Sequence, residues 1–394
     1  MPTWLESIPS ELAWPLVCVI AFALAEFLSR SIRLPRISTY ALIGFALGGA
    51  QLGLLPERPS KAMVLLANVA FGLLLFECGY RINWSWFRRN PWMLVISLLE
   101  ALLTFFSVLM IAQEFGLAPM SALLLASLAV PTSPATVIRV IHETRASGQV
   151  VERLLHFSAL NCIYAVLLFK AMVGWHLYQR SGAWWDAGVA SLWVVFGSAL
   201  IGAAFGTLLP ALLRALKRTP RDSDLVLILG LFVAVGCSQV LDLSSIVVSL
   251  VFGMVVRSQG VILAARHRDF GVMGELLSLF LFVFVAATLN INAVLAGIGL
   301  AVLIVMARLG STMLVTTGLA TLSGSTYRKG ALVGLAMAPM SAFVILLLEQ
   351  TPEIGPKLVN EIPALAALVL SMEVLGPFLT RLSLKWAGET EEEV

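Results

Sequence analysis

Apolar residues in this chain run in blocks of about 20, separated by short polar connections. A helix of that length crosses the ~30 Å hydrocarbon layer of a bilayer. Thirteen such spans are predicted, with approximate bounds 11–28, 37–54, 62–79, 91–112, 119–141, 154–178, 188–213, 223–240, 244–262, 272–290, 294–317, 329–349 and 359–383. Lipid offers no partner to backbone N–H and C=O groups, so the spans are expected to be helical and the fold class all-α integral membrane. Two spans are interrupted. Val130-Pro-Thr-Ser-Pro-Ala-Thr136 places two prolines three residues apart, which removes two donors and clashes with the preceding turn. Ala338-Pro-Met-Ser341 interrupts a second span far downstream with a single proline, Pro339. Irregular backbone at membrane depth persists only inside protein or beside a watery cavity. Breaks at corresponding places in two halves point to the substrate site of a secondary transporter.

Charge fixes the expected orientation. With the N-terminus outside and spans alternating, 20 of the 26 basic residues fall on the cytoplasmic side and four outside; Lys170 and Arg308 fall within spans. That asymmetry follows the positive-inside rule and predicts a multi-pass protein of the cell (inner) membrane with its C-terminus in the cytoplasm. Six spans, a linking seventh and six more form an inverted repeat, and the broken spans then take the same place in each half. Small-xxx-small pairs such as Gly44 and Gly48, Gly49 and Gly53, Gly202 and Gly206, and Gly330 and Gly334 are read as internal helix packing.

Composition narrows the class further. The chain has 394 residues, 59% hydrophobic and 12% charged, with net charge +3. Its basic residues form no stripe, which argues against nucleic acid as a partner. Cys18, Cys78, Cys162 and Cys237 lie in or at the ends of spans and read as buried thiols. His142, His156, His176 and His267 show no metal-ligand spacing. No cofactor is expected, no enzymatic chemistry is indicated, and the N-terminus lacks the basic region of a cleaved signal peptide.

Four stretches carry a family resemblance. Leu34–Gly49, Phe71–Arg81, Ala122–Phe169 (with Thr-Ser-Pro-Ala-Thr and Ser158-Ala-Leu-Asn161) and Gly334–Phe343 resemble the cation:proton antiporters, the sodium/proton exchanger membrane domain. The resemblance implies two crossing broken helices, an elevator-like alternating-access mechanism and a homodimer embedded in lipid. It assigns 1–90 and 223–290 to a dimerisation domain, 91–178 and 294–384 to a mobile core, 188–213 to a linking helix and 385–394 to a disordered tail. The implied activity is exchange of a monovalent cation, Na+ or K+, for protons.

Two positions depart from that pattern. The family's Thr-Asp-Pro is Thr132-Ser133-Pro134 here, and its Asn-Asp is Asn161-Cys162. A thiol is a poor ligand for a hard alkali cation. Arg308 stands about where the family places a base that pairs with the missing carboxylate. The expected site therefore comprises Thr132, Ser133, Asn161, Cys162, Arg308 and Ser341, with Glu100 and Glu373 as displaced coupling acids and Lys170 as a further intramembrane charge. A buried Arg308 calls for a partner, and Glu100 or Glu373 is expected to provide it. Two other readings follow from the lost acids: an anion or anionic solute drawn to a net positive crossing, or a sensor or scaffold that retained the fold.

Overall fold

The computed structural model describes residues 10–32, 34–56, 60–82, 90–181, 184–215, 220–260, 271–340, 344, 348 and 362–391. Helices occupy each predicted span. They are α1 (Ser10–Ile32), α2 (Arg36–Leu47), α3 (Lys61–Arg81), α4 (Trp92–Glu114), α5 (Pro119–Ala129), α6 (Pro134–Thr144), α7 (Gln149–Ser181), α8 (Trp184–Ala215), α9 (Pro220–Val240), α10 (Ser245–Ser258), α11 (Gly271–Ala287), α12 (Ile291–Gly318), α13 (Tyr327–Ala336) and α14 (Pro363–Ala387). Among the described residues, eight spans are long and apolar enough to cross a bilayer unaided, the α5–α6 pair counting as one of them. Helix α2 is shorter than its apolar block, because the chain turns at Gly48–Gly49 and passes Gly53 in the left-handed region (φ 71°).

Both breaks form as the prolines dictate. Helix α5 stops at Ala129, and residues 130–133 are non-helical. Helix α6 restarts at Pro134, whose missing N–H falls where a helix leaves its first donors free. Ser133 caps it by accepting the Thr136 N–H at 3.5 Å. Helix α13 ends at Ala336, and 337–340 are non-helical.

Helices α4, α5, α12, α13 and α14 pack as one group, while α1, α2, α3, α10 and α11 pack as another and α8 lies along α10. Lipid gives no hydrophobic drive between helices, so close approach relies on small residues. A Cβ on Gly253 would sit 2.0 Å from the Phe76 carbonyl, and one on Gly79 would sit 2.1 Å from that of Leu250. Helices α3 and α10 thus cross backbone to backbone. Gly44 and Gly48 seat α2 on α11, Gly202 and Gly206 seat α8 on α10, and Gly330 and Gly334 seat α13 on α12. These pairs serve internal packing, as expected, whereas Gly49 and Gly53 shape the turn.

The C-terminal segment differs from its expected disorder. Helix α14 runs on to Ala387, and Gly388 (φ 69°) turns the chain. Glu389 then accepts the Val150 N–H at 2.9 Å and the Val151 N–H at 3.0 Å. A carboxylate at the first turn of α7 satisfies orphan donors and the helix dipole together. Residues 392–394 lie outside the described residues.

Gly253→Ala should lower the thermal midpoint of the detergent-purified protein, at a cost of about 1–3 kcal/mol for overpacking. Gly236→Ala, with open space at its Cβ, should leave the midpoint unchanged.

Candidate functional site

The two breaks touch. The Ser133 N–H donates to the Pro339 carbonyl at 2.7 Å, and the Thr132 hydroxyl donates to that of Met337 at 3.2 Å. Each half-helix ending there presents carbonyls that no longer have an i+4 donor. Those ends carry roughly half a negative charge each. Arg308 on α12 meets them. Its guanidinium is 1% exposed and donates through Nε to Ala129 O at 2.9 Å, through Nη2 to Pro131 O at 2.8 Å and through Nη2 to Met337 O at 3.0 Å. Nη1 donates to Ala338 O, and Nη2 also reaches Thr132 Oγ1 at 3.3 Å. All three guanidinium nitrogens are engaged, in five contacts to four main-chain carbonyls and one hydroxyl. One full positive charge thereby balances the C-terminal ends of two half-helices.

This differs from the expected ion pair. No carboxylate touches Arg308 among the described residues; its donors go to main-chain carbonyls and one hydroxyl. Cys162 lies against this knot, its thiol 3.6 Å from the Thr132 carbonyl.

Glu100, buried on α4, faces α7 instead. Asn161 donates Nδ2–H to Glu100 Oε2 at 2.8 Å. Thr104 donates to Oε1 at 3.3 Å, and Ser97 donates to Asn161 Oδ1 at 3.4 Å. Asn161 is held by both Ser97 and Glu100, which fixes its amide orientation. Sequence reasoning missed Ser97 and Thr104, although Ser97, Glu100 and Thr104 fall at i, i+3 and i+7, a polar stripe along one face of an otherwise apolar helix. A carboxylate has thus arrived beside the Asn161-Cys162 pair from a different helix.

Glu373 is buried on α14, and among the described residues neither of its oxygens has a hydrogen-bond partner. Lys170 lies more than two turns beyond Asn161 on α7, where the charge acting on it is that of Asp242; it does not join the crossing. Ser158 turns its hydroxyl back to Leu155 O at 3.0 Å. Ser341 lies outside the described residues. The other acids also resolve. Glu26 and Glu275 pair with Arg36. Glu77 is 2% exposed, 2.9 Å from Arg81 and 2.9 Å from His142 of α6.

The profile of the family described as sodium/hydrogen exchanger, transmembrane, matches residues 17–386. The protein belongs to the sodium/hydrogen exchanger family. Two solved structures of the sodium proton antiporter MjNhaP1 from Methanocaldococcus jannaschii share its fold. One superposes with a TM-score of 0.71 at 16% identity, covering 95% of this chain and 95% of that one. The other, at pH 8, gives 0.66 at 15% identity, covering 96% and 97%. No curated protein matches the sequence. Like its family, this exchanger is a transporter and not an enzyme. It differs at Ser133 and Cys162, where the resemblance leads one to expect aspartates, and it has Glu100 in contact with the adjacent Asn161.

Arg308→Lys keeps the charge but loses the planar fork that reaches both breaks. It should destabilise the purified protein by about 3 kcal/mol, within the range for breaking a buried charge network. Thermal unfolding in detergent checks this, with Lys170→Arg as the control that should leave the midpoint in place.

Proposed function

We propose that this family member exchanges a monovalent cation, Na+ or K+, for protons, with Glu100 as the coupling carboxylate. The observation that carries this reading is the 2.8 Å bond from Asn161 to Glu100. It restores an acid beside the pair from which the usual aspartate is missing. A buried carboxylate in a membrane helix needs a proton or a cation to neutralise it, and alternation between the two is the exchange reaction. The Thr132 hydroxyl and the Asn161 carbonyl oxygen are neutral, hard ligands suited to an alkali cation. Ser133 and Ser341 belong to the same proposed site as residues of the two breaks, and Cys162 as a wall of it.

Movement follows from the packing groups. In this reading α4–α7 and α12–α14 travel as the elevator-like core. Helices α1–α3 and α9–α11 remain as the scaffold through which two copies dimerise in the inner membrane, and α8 links the two. The N-terminus lies outside and the C-terminus in the cytoplasm. An anion substrate is disfavoured because the buried Arg308 guanidinium is held by the main-chain carbonyls of both breaks.

Proteoliposomes with an imposed pH gradient and a trapped pH dye test the reading. Addition of sodium or potassium salts should dissipate the gradient in a way that follows the cation, whatever the anion. Glu100→Gln should lower the rate at least ~100-fold, since removal of the charge abolishes cation binding, and Glu100→Asp should retain part of it. A Glu100→Gln protein that exchanges at the wild-type rate contradicts the assignment.

A further inference from the structure

Glu373 has no role in the crossing described so far, yet it is 1% exposed, with both oxygens unpartnered among the described residues. Its place on α14 is informative. Glu373, Gly376, Thr380 and Ser383 fall at i, i+3, i+7 and i+10, one face of the helix. That face lies along the second broken span. Ser383 donates to Leu332 O, Thr380 donates to Ala336 O at 2.9 Å, and a Cβ on Gly376 would sit 2.9 Å from Pro339 Cα. Glu373 lies one turn further along the same face from the Pro339 contact. One residue on, the Val374 carbonyl accepts the Ser38 hydroxyl of α2 at 2.9 Å. Glu373 is thus one turn from the contact of α14 with the second broken span and one residue from its contact with α2, a helix of the other packing group. No cationic side chain among the described residues pairs with it. A carboxylate in such a place is uncompensated, so it holds either a proton or a transported ion.

We propose that Glu373 is a second proton-carrying carboxyl of the exchange cycle, separate from Glu100. The proposal rests on the exchange reading above. The balance is explicit. In the cation-loaded passage both carboxyls have released their protons to water and one cation is bound, so the two acids and the ion sum to −1. In the return passage both carboxyls hold protons and sum to zero. One cycle moves two protons one way and one cation the other, and one net charge crosses the membrane. With Glu100 alone, one proton would exchange for one cation and no charge would move.

The null point of transport reads this stoichiometry. Proteoliposomes held at zero membrane potential are given a fixed tenfold sodium gradient and a series of opposing pH gradients, and the gradient at which sodium flux stops is recorded. Two protons per cation predict a null at about half a pH unit, and one proton predicts a null at one unit. The wild type should null near half a unit. Glu373→Gln should still exchange but null near one unit, and should lose its response to an imposed membrane potential. A wild-type null at one unit overturns the proposal even if Glu373→Gln does not fold. Identical null points in the two proteins overturn it as well. A folded Glu373→Gln protein that does not transport refutes the separation from Glu100. Infrared difference spectra on addition of sodium provide a second arm. Sodium should remove a protonated-carboxyl band, and Glu373→Asp should shift it. A band unaffected by Glu373→Asp rejects the assignment. A wild type silent toward every cation sinks the exchange reading itself, a result distinct from an exchanging protein indifferent to Glu373.

Discussion

The fold converges on one guanidinium. Two broken helices in a bilayer leave carbonyls that lipid cannot satisfy and two helix ends of like charge facing each other. Mutual repulsion and desolvation at such a crossing need a counter-charge with donors pointing in several directions at once. Arg308 meets both needs, bonding Ala129 and Pro131 of one break and Met337 and Ala338 of the other. A lysine offers the charge without the planar spread. Everything nearby is arranged around that knot, including the Cys162 thiol against Thr132 and the Ser133–Pro339 bond that closes the crossing.

Arg308 so engaged also explains how the site tolerates Ser133 and Cys162. A base that relied on an aspartate at position 162 would be left unpaired by a thiol there, at a cost of several kcal/mol. Here the carbonyls neutralise it, so the acid at that position is free to change. In the proposed reading the carboxyl function is supplied from α4, where Glu100 accepts from the Asn161 amide.

Much of this was legible in the sequence, for identifiable reasons. Proline chemistry is local, so both breaks and the restart at Pro134 could be read directly. Apolar block length located every span, and the glycine pairs announced the seams they now occupy. What could not be read was what Arg308 touches. Its acceptors are main-chain carbonyls, which every residue has and which no side-chain pattern marks; a carboxylate was the natural expectation for a buried base. The Ser97–Glu100–Thr104 stripe was visible in its spacing, but its link to Asn161 depends on how α4 packs against α7. The docked end of the chain was hidden for a similar reason. Glu389 reads as part of an acidic tail until α14 brings it to the first turn of α7.

The most direct test is proton release from the detergent-purified protein in weakly buffered solution on addition of salt. Sodium chloride and sodium gluconate should release protons to the same extent, and choline chloride should release none, because the ion that displaces the proton is the cation. Release that tracks chloride, or none with any alkali salt, would contradict a crossing whose arginine is committed to carbonyls and whose exchangeable group is a carboxyl.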